Sequence, residues 1–285
     1  MDSERSASLK FTPEQLSRLR DLGAETDILG LSFASQEERR KVFQDQERLL
    51  AGKARGEVRR MLSEGHRPLA RILEERLSKA LSENGFAEVM TPIAMSRSRL
   101  EKMGLKGDPL LAAQVFWLDE KSCLRPMLAP HLYEYMLDLA RISSGPFRIF
   151  EIGPCFRKES KGARHGGEFT MLNLVEVGTK EESRLDRLKE LASLLMGAAG
   201  LEEYRFDQAD SSVYGQTVDV VSKDGLELAS CSMGPHPLDE AWGFDGSWVG
   251  LGLGIERLAM ALSGLDRLSP VGRGFGRLGG LALRL

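Results

Sequence analysis

The chain has 285 residues, 42% of them hydrophobic and 28% charged, with a formal net charge of −3. This is the composition of a globular protein big enough for one large domain or a domain with an appendage, and not of a protein that coats nucleic acid by bulk charge. No apolar run reaches the roughly 18 residues of a membrane span, and the polar start "MDSERSASLK" is unlike a secretory signal. Three separated cysteines (Cys123, Cys155, Cys231) point to a reduced, cytoplasmic protein.

Residues 1–66 read as a helical segment. Thr12-Pro13-Glu14-Gln15 supplies an N-cap, a proline at the first helical position and a glutamine three residues after the cap. Ser35-Gln36-Glu37-Glu38 is a second capping box, opening a charged helix expected to reach about Leu50, and a third helix follows to about Glu64. The charges balance, so a solvated face is the simple reading and an RNA-contacting face the alternative. In residues 67–84, Leu69, Ile72, Leu73, Leu77, Ala80 and Leu81 recur at spacings of three and four, the pattern of an amphipathic helix. Gly85 ends it, and "FAEVMTPI" alternates as a strand running into Pro92.

Ser98 and Glu101 suggest a short capped helix. "QVFWLDEKSCLRPML" reads as a hairpin turning at Asp119–Ser122, followed by a helix from Ala129 to about Arg141. Strands at Phe147–Lys158 and Glu168–Gly178 then flank a loop longer than the two to five residues of ordinary hairpins. A helix over "SRLDRLKELASLLMGAAG" ends at Gly200, and "QTVDVVSKDGLELASCSMG" is a hairpin turning at Asp224-Gly225. "SWVGLGLGIERLAMAL" is a strand that runs directly into a helix. Hairpins separated by helices, without βαβ alternation, predict an α+β fold on an antiparallel sheet. The Gly-rich tail "RGFGRLGGLALRL" carries no clear periodicity.

Three features stand in order along this frame. An amphipathic helix enters a strand ending in Pro92; Phe156-Arg157-Lys158-Glu159 opens a strand–loop–strand; and the run Gly250 to Arg257, "GLGLGIER", begins a helix. Singly they are weak, since Gly-x-Gly-x-Gly also suits a dinucleotide site, although that needs a βαβ unit. Together they resemble the three signature motifs of class II aminoacyl-tRNA synthetases. More narrowly, "LRPMLAPHLYEYM", "IFEIGPCFRKES", "EFTMLNL", "VYGQTVDV", "LELASCSMGP" and "WVGLGLGIERL" resemble the catalytic domain of the pyrrolysyl-tRNA synthetase family, from about Arg67 to Leu262.

The resemblance implies a class II sheet that activates an amino acid with ATP and Mg²⁺, with residues 1–66 as a helical segment open to tRNA contacts and 67–285 as the catalytic domain. It places Arg157 on the α-phosphate and substrate carboxylate, Glu159 on the adenine amino group and His165 near the outer phosphates. Phe169 and Arg257 would sandwich the adenine, and Glu227 and Ser230 would hold Mg²⁺ with ATP. Arginine suits this chemistry because its fork meets phosphate oxygens at fixed geometry and stays charged. For the amino acid, it implies a deep apolar pocket for an acylated lysine. Ala129, Leu132, Tyr133 and Met136 form one wall, and Val175, Ser232, Trp248 and Gly250 complete it. Asn173 would hydrogen-bond the substrate's side-chain carbonyl, and Tyr214 would cap the pocket from a mobile loop.

Expected partners are pyrrolysine or a lysine analogue, a suppressor tRNA and a second copy of the chain, joined through the helix at 67–84 and its strand. Some relatives lacking the extra N-terminal tRNA-binding domain work beside a separate small protein; no membrane or DNA partner is expected. Taken singly, Phe169 also fits an ordinary core aromatic, His165 a loop histidine, Arg257 a surface cation, and Leu132 and Met136 plain core packing. The cysteines read as small buried side chains, and histidines 66, 131, 165 and 236 are too scattered for a zinc site. The sequence departs from the family at His131, where an asparagine is usual, at Gly166-Gly167, at Ser232, and in the tail. The rival readings are a phenylalanyl-type class II enzyme and a synthetase-like binding protein that charges nothing.

Overall fold

In the computed structural model the described residues are 9–104, 112–143, 145–158, 166–211 and 213–284. They fall into two compact units. One takes the N-terminal residues to Pro68 together with the tail from Gly274; the other is Leu69–Arg273. The tail, expected with the domain at 67–285, groups with the N-terminal residues instead.

In the first unit β1 (Leu9–Lys10) precedes α1 (Pro13–Asp21), which carries the expected capping box: Thr12 accepts from the Gln15 N–H and Gln15 returns the bond. After α2 (Thr26–Leu29) comes β2 (Ser32–Phe33), antiparallel to β1. Ser35 then accepts from the Glu38 N–H, while the Glu38 carboxylate reaches Ala34 N–H instead of the cap residue's own. The two helices expected after Ser35 are one, α3 (Gln36–Glu64), of 29 residues. Its buried residues Leu50, Ala51 and Ala54 lie across the expected break, and a single helical glycine such as Gly52 costs only about 1 kcal/mol. Phe11, Leu19, Leu22 and Phe33 close a small core with Leu50 and Ala51. The tail forms the strand pair Arg277–Leu278 and Leu281–Ala282, turned by Gly279 and Gly280 at φ +56° and +83°, values that glycine adopts without strain. Arg277 bonds Asp21 at 2.6 Å, tying the tail to α1.

The second unit starts with α4 (Leu69–Glu83), whose Leu73, Leu77 and Leu81 are wholly buried, as the helical spacing requires. Next come β3 (Ala87–Glu88), β4 (Ala94–Ser96), α5 (Arg97–Lys102), β5 (Ser122–Leu124) and α6 (Ala129–Ile142). The expected hairpin over 114–128 is reduced to one bridge between Trp117 and Cys123; β5 pairs with β4 instead. Its turn is nevertheless where expected, because the Asp119 carboxylate accepts from Lys121 N–H and Ser122 N–H, both at 2.7 Å. Then follow β6 (Phe147–Phe156), β7 (Glu168–Val177), α7 (Arg184–Ala199), β8 (Tyr204–Ser211), β9 (Gly215–Ser222), β10 (Glu227–Gly234), α8 (Pro237–Trp242), β11 (Trp248–Gly254) and α9 (Ile255–Leu262). Strand β8 was not expected. It is polar and half-exposed, so its pairing with β9 rather than an apolar pattern defines it.

Seven strands form one sheet in the order β3-β6-β7-β11-β10-β9-β8. Every pairing is antiparallel except β3 with β6 at the edge. One face buries α4, α7 and α9 against Phe150, Leu172, Leu174, Val249, Leu251 and Leu253. The other packs α6 against Ile149, Val175, Val177 and Trp248. A sheet covered on both faces needs strands that are apolar on both, and β11 meets that need in an unusual way.

Candidate active site

Along β11, Val249, Leu251 and Leu253 point into the helical core, whereas Gly250, Gly252 and Gly254 leave the opposite face bare. The neighbouring strands supply walls. Gly252 lies opposite Asn173 on β7 and Ser230 on β10, and Gly250 lies opposite Val175 and Ser232. A Cβ on Gly252 would stand 3.1 Å from Asn173 Oδ1, and one on Gly250 would stand 3.1 Å from the Trp248 ring. The glycines therefore keep a trough open, and α6 roofs part of it into a cavity of about 300 Å³.

Fifteen of the seventeen residues singled out from the sequence line this cavity: Arg157, Phe169, Glu227, Ser230 and Arg257 with Ala129, Leu132, Tyr133, Met136, Asn173, Val175, Tyr214, Ser232, Trp248 and Gly250. Glu159 and His165 lie outside the described residues. Glu227 reaches the rim three residues before Ser230 because a register shift between Glu227 and Ala229 breaks the alternation.

The cavity has a charged end. Arg157 donates from Nε to the Pro126 carbonyl at 2.9 Å, with its guanidinium 5.2 Å from the centre of the Phe169 ring. Arg257 Nη1 lies 3.4 Å from Glu227 Oε1 and donates to the Glu227 carbonyl at 3.3 Å. Behind both, the buried Glu256 carboxylate accepts from Thr170 N–H at 2.8 and 3.0 Å. Since Thr170 follows Phe169 and Glu256 precedes Arg257, this bond links the two residues flanking the trough. Burial holds Glu256 above the ordinary carboxylate pKa, although the Thr170 bonds pull it down.

The other end is apolar. Leu132, Tyr133, Met136, Val175 and Trp248 are all buried there. Asn173 is half-buried on the wall, and among the described residues its amide takes no hydrogen-bond partner. Tyr214 stands edge-on to Trp248 and to His236, at ring separations of 6.3 and 5.5 Å. His236 Nδ1 accepts from Leu238 N–H, so its proton sits on Nε2 and is donated to the Tyr214 carbonyl at 2.8 Å.

A family model described as "tRNA synthetases class II core domain (F)" matches residues 55–270. The chain belongs to the class II tRNA synthetases. Two solved structures of Desulfitobacterium hafniense pyrrolysyl-tRNA synthetase are similar over its whole length. One, titled PylSc, is 44% identical with TM-score 0.90, covering 100% of this chain and 99% of that one. The second is 45% identical with TM-score 0.90, covering 98% and 100%. Among curated proteins, the threonine--tRNA ligase of Wolbachia pipientis subsp. Culex pipiens (strain wPip) is 34% identical over 103 residues. That of Wolbachia sp. subsp. Brugia malayi (strain TRS) is 35% identical over the same length. The chain spans only 16% of the length of these two ligases, and the matched stretch is 34% of the chain.

Within this synthetase core, sequence reading missed the groups that hold the lining residues from behind. Arg125 and Glu151 form an ion pair at 2.7 Å with both side chains 2% exposed. Arg125 also donates to Thr91 Oγ1 and to the Pro154 carbonyl. The Thr91 hydroxyl donates to Glu151 at 2.7 Å, so its 3.0 Å contact with His131 has the imidazole Nδ1–H as donor. Burial, reinforced by Arg99 and Arg125, holds His131 below its usual pKa and thus neutral. Gly153 makes room for this network: a Cβ there would lie 2.2 Å from Arg125 Nη2. The Arg125 carbonyl accepts from Phe156 N–H, so the network underlies the strand end that carries Arg157. The signal in the sequence was the glycine between Ile152 and Pro154, which has no turn to explain it.

Proposed function

We propose that this chain activates pyrrolysine, or a closely related acylated lysine, with ATP and transfers it to a suppressor tRNA. The observation that carries the reading is the cavity itself: one trough, charged at one end and apolar at the other, bounded by Arg157 and Phe169 of the second class II motif and by Gly250, Gly252, Gly254 and Arg257 of the third. Full-length similarity to pyrrolysyl-tRNA synthetases supports the choice of amino acid.

In this reading the adenine lies between Phe169 and Arg257, stacked on one side and met by a cation on the other. Arg157 meets the α-phosphate, where charge shifts as the substrate carboxylate attacks phosphorus and pyrophosphate leaves. The tRNA ribose hydroxyl then attacks the adenylate carbonyl, releasing AMP. No protein nucleophile takes part, and the chain contributes positioning and charge. Asn173 donates its unpartnered amide to the substrate's side-chain carbonyl, and the Tyr133, Met136 and Trp248 walls enclose the aliphatic stem.

Class II synthetases use ATP with a divalent metal. Among the described residues no group of three His, Cys, Asp or Glu is placed to hold a metal. A single carboxylate, Glu227, and a hydroxyl, Ser230, fit Mg²⁺ brought in on the triphosphate, since Mg²⁺ keeps several waters and needs only one or two protein oxygens. Bound there, Mg²⁺ would offset phosphate charge.

We further assign a homodimer, supported by the exposed Met90 and Ile93 beside β3, tRNA contacts to the first unit, and a cytoplasmic location. Among the described residues no helix is long and apolar enough to cross a membrane.

The test is amino-acid-dependent exchange of labelled pyrophosphate into ATP, run with pyrrolysine, other Nε-acyl-lysines, phenylalanine and threonine, then charging of candidate tRNAs. Exchange that peaks with acyl-lysines supports the reading. A peak with phenylalanine or threonine reassigns the substrate, and no exchange with any of them makes the chain a binding protein.

A further inference from the structure

The walls of the apolar end come from distant parts of the chain: Tyr133 from α6 and Trp248 from the start of β11. One carboxylate bonds both. Asp239 on α8 does not line the cavity and is 4% exposed. Its Oδ1 accepts from the Tyr133 hydroxyl at 2.8 Å, and its Oδ2 accepts from Trp248 Nε1–H at 2.9 Å and His236 N–H at 2.7 Å. We propose that Asp239 is a positioning residue that sets the width and chemical character of the amino-acid end by holding Tyr133 and Trp248 from behind. This deepens the functional reading above and rests on it.

The surrounding packing leaves each ring few alternatives. Tyr133 lies flat on Trp242, ring centres 5.1 Å apart and 7° from parallel, and edge-on to Trp248 at 6.0 Å. The Gly234 backbone closes on Trp248 from outside, since a Cβ there would fall 1.8 Å from Nε1. A carboxylate is the group that suits the remaining space. Three donors converge on it, and an ionised carboxylate is acceptor-only, with both oxygens available. An amide would offer one oxygen to two N–H groups and turn an N–H toward the Tyr133 oxygen, reversing that bond. With its proton committed to Asp239, Tyr133 presents only its ring to the cavity. Burial, then the nearby Tyr214 and Asp239, hold the phenol above its ordinary pKa, so it remains a neutral donor. Asp239 thus keeps this stretch of wall apolar as well as fixed.

The experiment compares Asp239→Ala and Asp239→Asn with the parent protein in pyrophosphate exchange and in near-ultraviolet circular dichroism, which reads fixed aromatic geometry. Asp239→Ala should raise the amino-acid KM by roughly tenfold or more, as expected when a hydrogen bond to a charged group is lost, with the ATP KM within about twofold. Asp239→Asn, able to keep all three groups in place, should recover part of that loss. The near-ultraviolet bands should weaken in the alanine variant and shift in the asparagine variant. Equal rises in both KM values, an unchanged amino-acid KM, or unchanged near-ultraviolet bands would each overturn the assignment. Should the parent protein itself show no exchange, the functional reading fails, and the dichroism still decides whether Asp239 holds the two rings.

Discussion

Glu256→Ala removes the link between the two flanks of the nucleotide end. The Thr170 N–H, which now donates to both carboxylate oxygens at 2.8 and 3.0 Å, would be left buried without an acceptor. That costs about 1–3 kcal/mol. At about 2–4 °C per kcal/mol for a unit of this size, the middle of the range is a fall in Tm of roughly 4–8 °C. Because Thr170 adjoins Phe169 and Glu256 adjoins Arg257, the ATP KM should rise as well. Glu256→Gln keeps an acceptor for Thr170 and separates hydrogen bonding from charge. Burial raises the Glu256 pKa above its ordinary 4.5, so the protonated acid is favoured on folding. Its stabilisation is complete below that value and is lost as pH rises through the higher folded value. The parent protein should therefore lose stability across this window relative to Glu256→Gln, whose profile there should be flatter. Thermal unfolding followed by circular dichroism from pH 4 to 8, with ATP KM at neutral pH, tests both parts. An alanine variant with unchanged Tm and unchanged ATP KM would refute the link, and parallel pH profiles would refute the raised pKa.

Arg157→Ala should nearly abolish pyrophosphate exchange while leaving Tm within a few degrees, because Arg157 is half-buried at the cavity rim; normal exchange would remove its role. Asn173→Ala should flatten the preference among acyl-lysines and leave the ATP KM unchanged, checked by a substrate panel, and an unaltered preference would contradict the assignment. Gly153→Ala drives a Cβ to within 2.2 Å of Arg125 Nη2. Breaking that buried ion pair should cost about 3–5 kcal/mol, seen as a lower denaturation midpoint, and a neutral effect would mean Arg125 is not confined. Burial pushes Cys155 and Cys231 up to about 12 and Cys123 up to about 11. A chromogenic disulfide reagent at pH 8 should then find no fast thiol in the folded protein and three after unfolding; a fast native thiol would be the contrary result.

Much of the site was readable because its parts repeat locally. Glycines at every second residue of β11, apolar residues between them, and alternation on β7 and β10 are short-range patterns that the pleat turns into a trough with walls. Helix α4 was legible for the same reason, with Leu73, Leu77 and Leu81 on one face. Where local pattern was weak, reading failed. Polar β8 exists through its pairing with β9, α3 continues past Leu50 because its apolar residues there are buried, and β5 pairs chiefly with β4, keeping only the Trp117–Cys123 bridge to the segment before its turn. The Gly-rich tail finds its place with α1 through Arg277 and Asp21, 256 positions apart.

The amino-acid sequence alone determined which residues could share a strand face or a helix stripe, and through the motifs which side chains belong to one chemistry. Only the tertiary structure decided what stands behind them. Asp239 meets Tyr133 across 106 positions, Glu256 meets Thr170 across 86, and Arg125 meets Glu151 across 26. A buried carboxylate is tolerable only once its donors are in place, and no spacing rule specifies donors that the sheet and helices deliver from elsewhere in the chain.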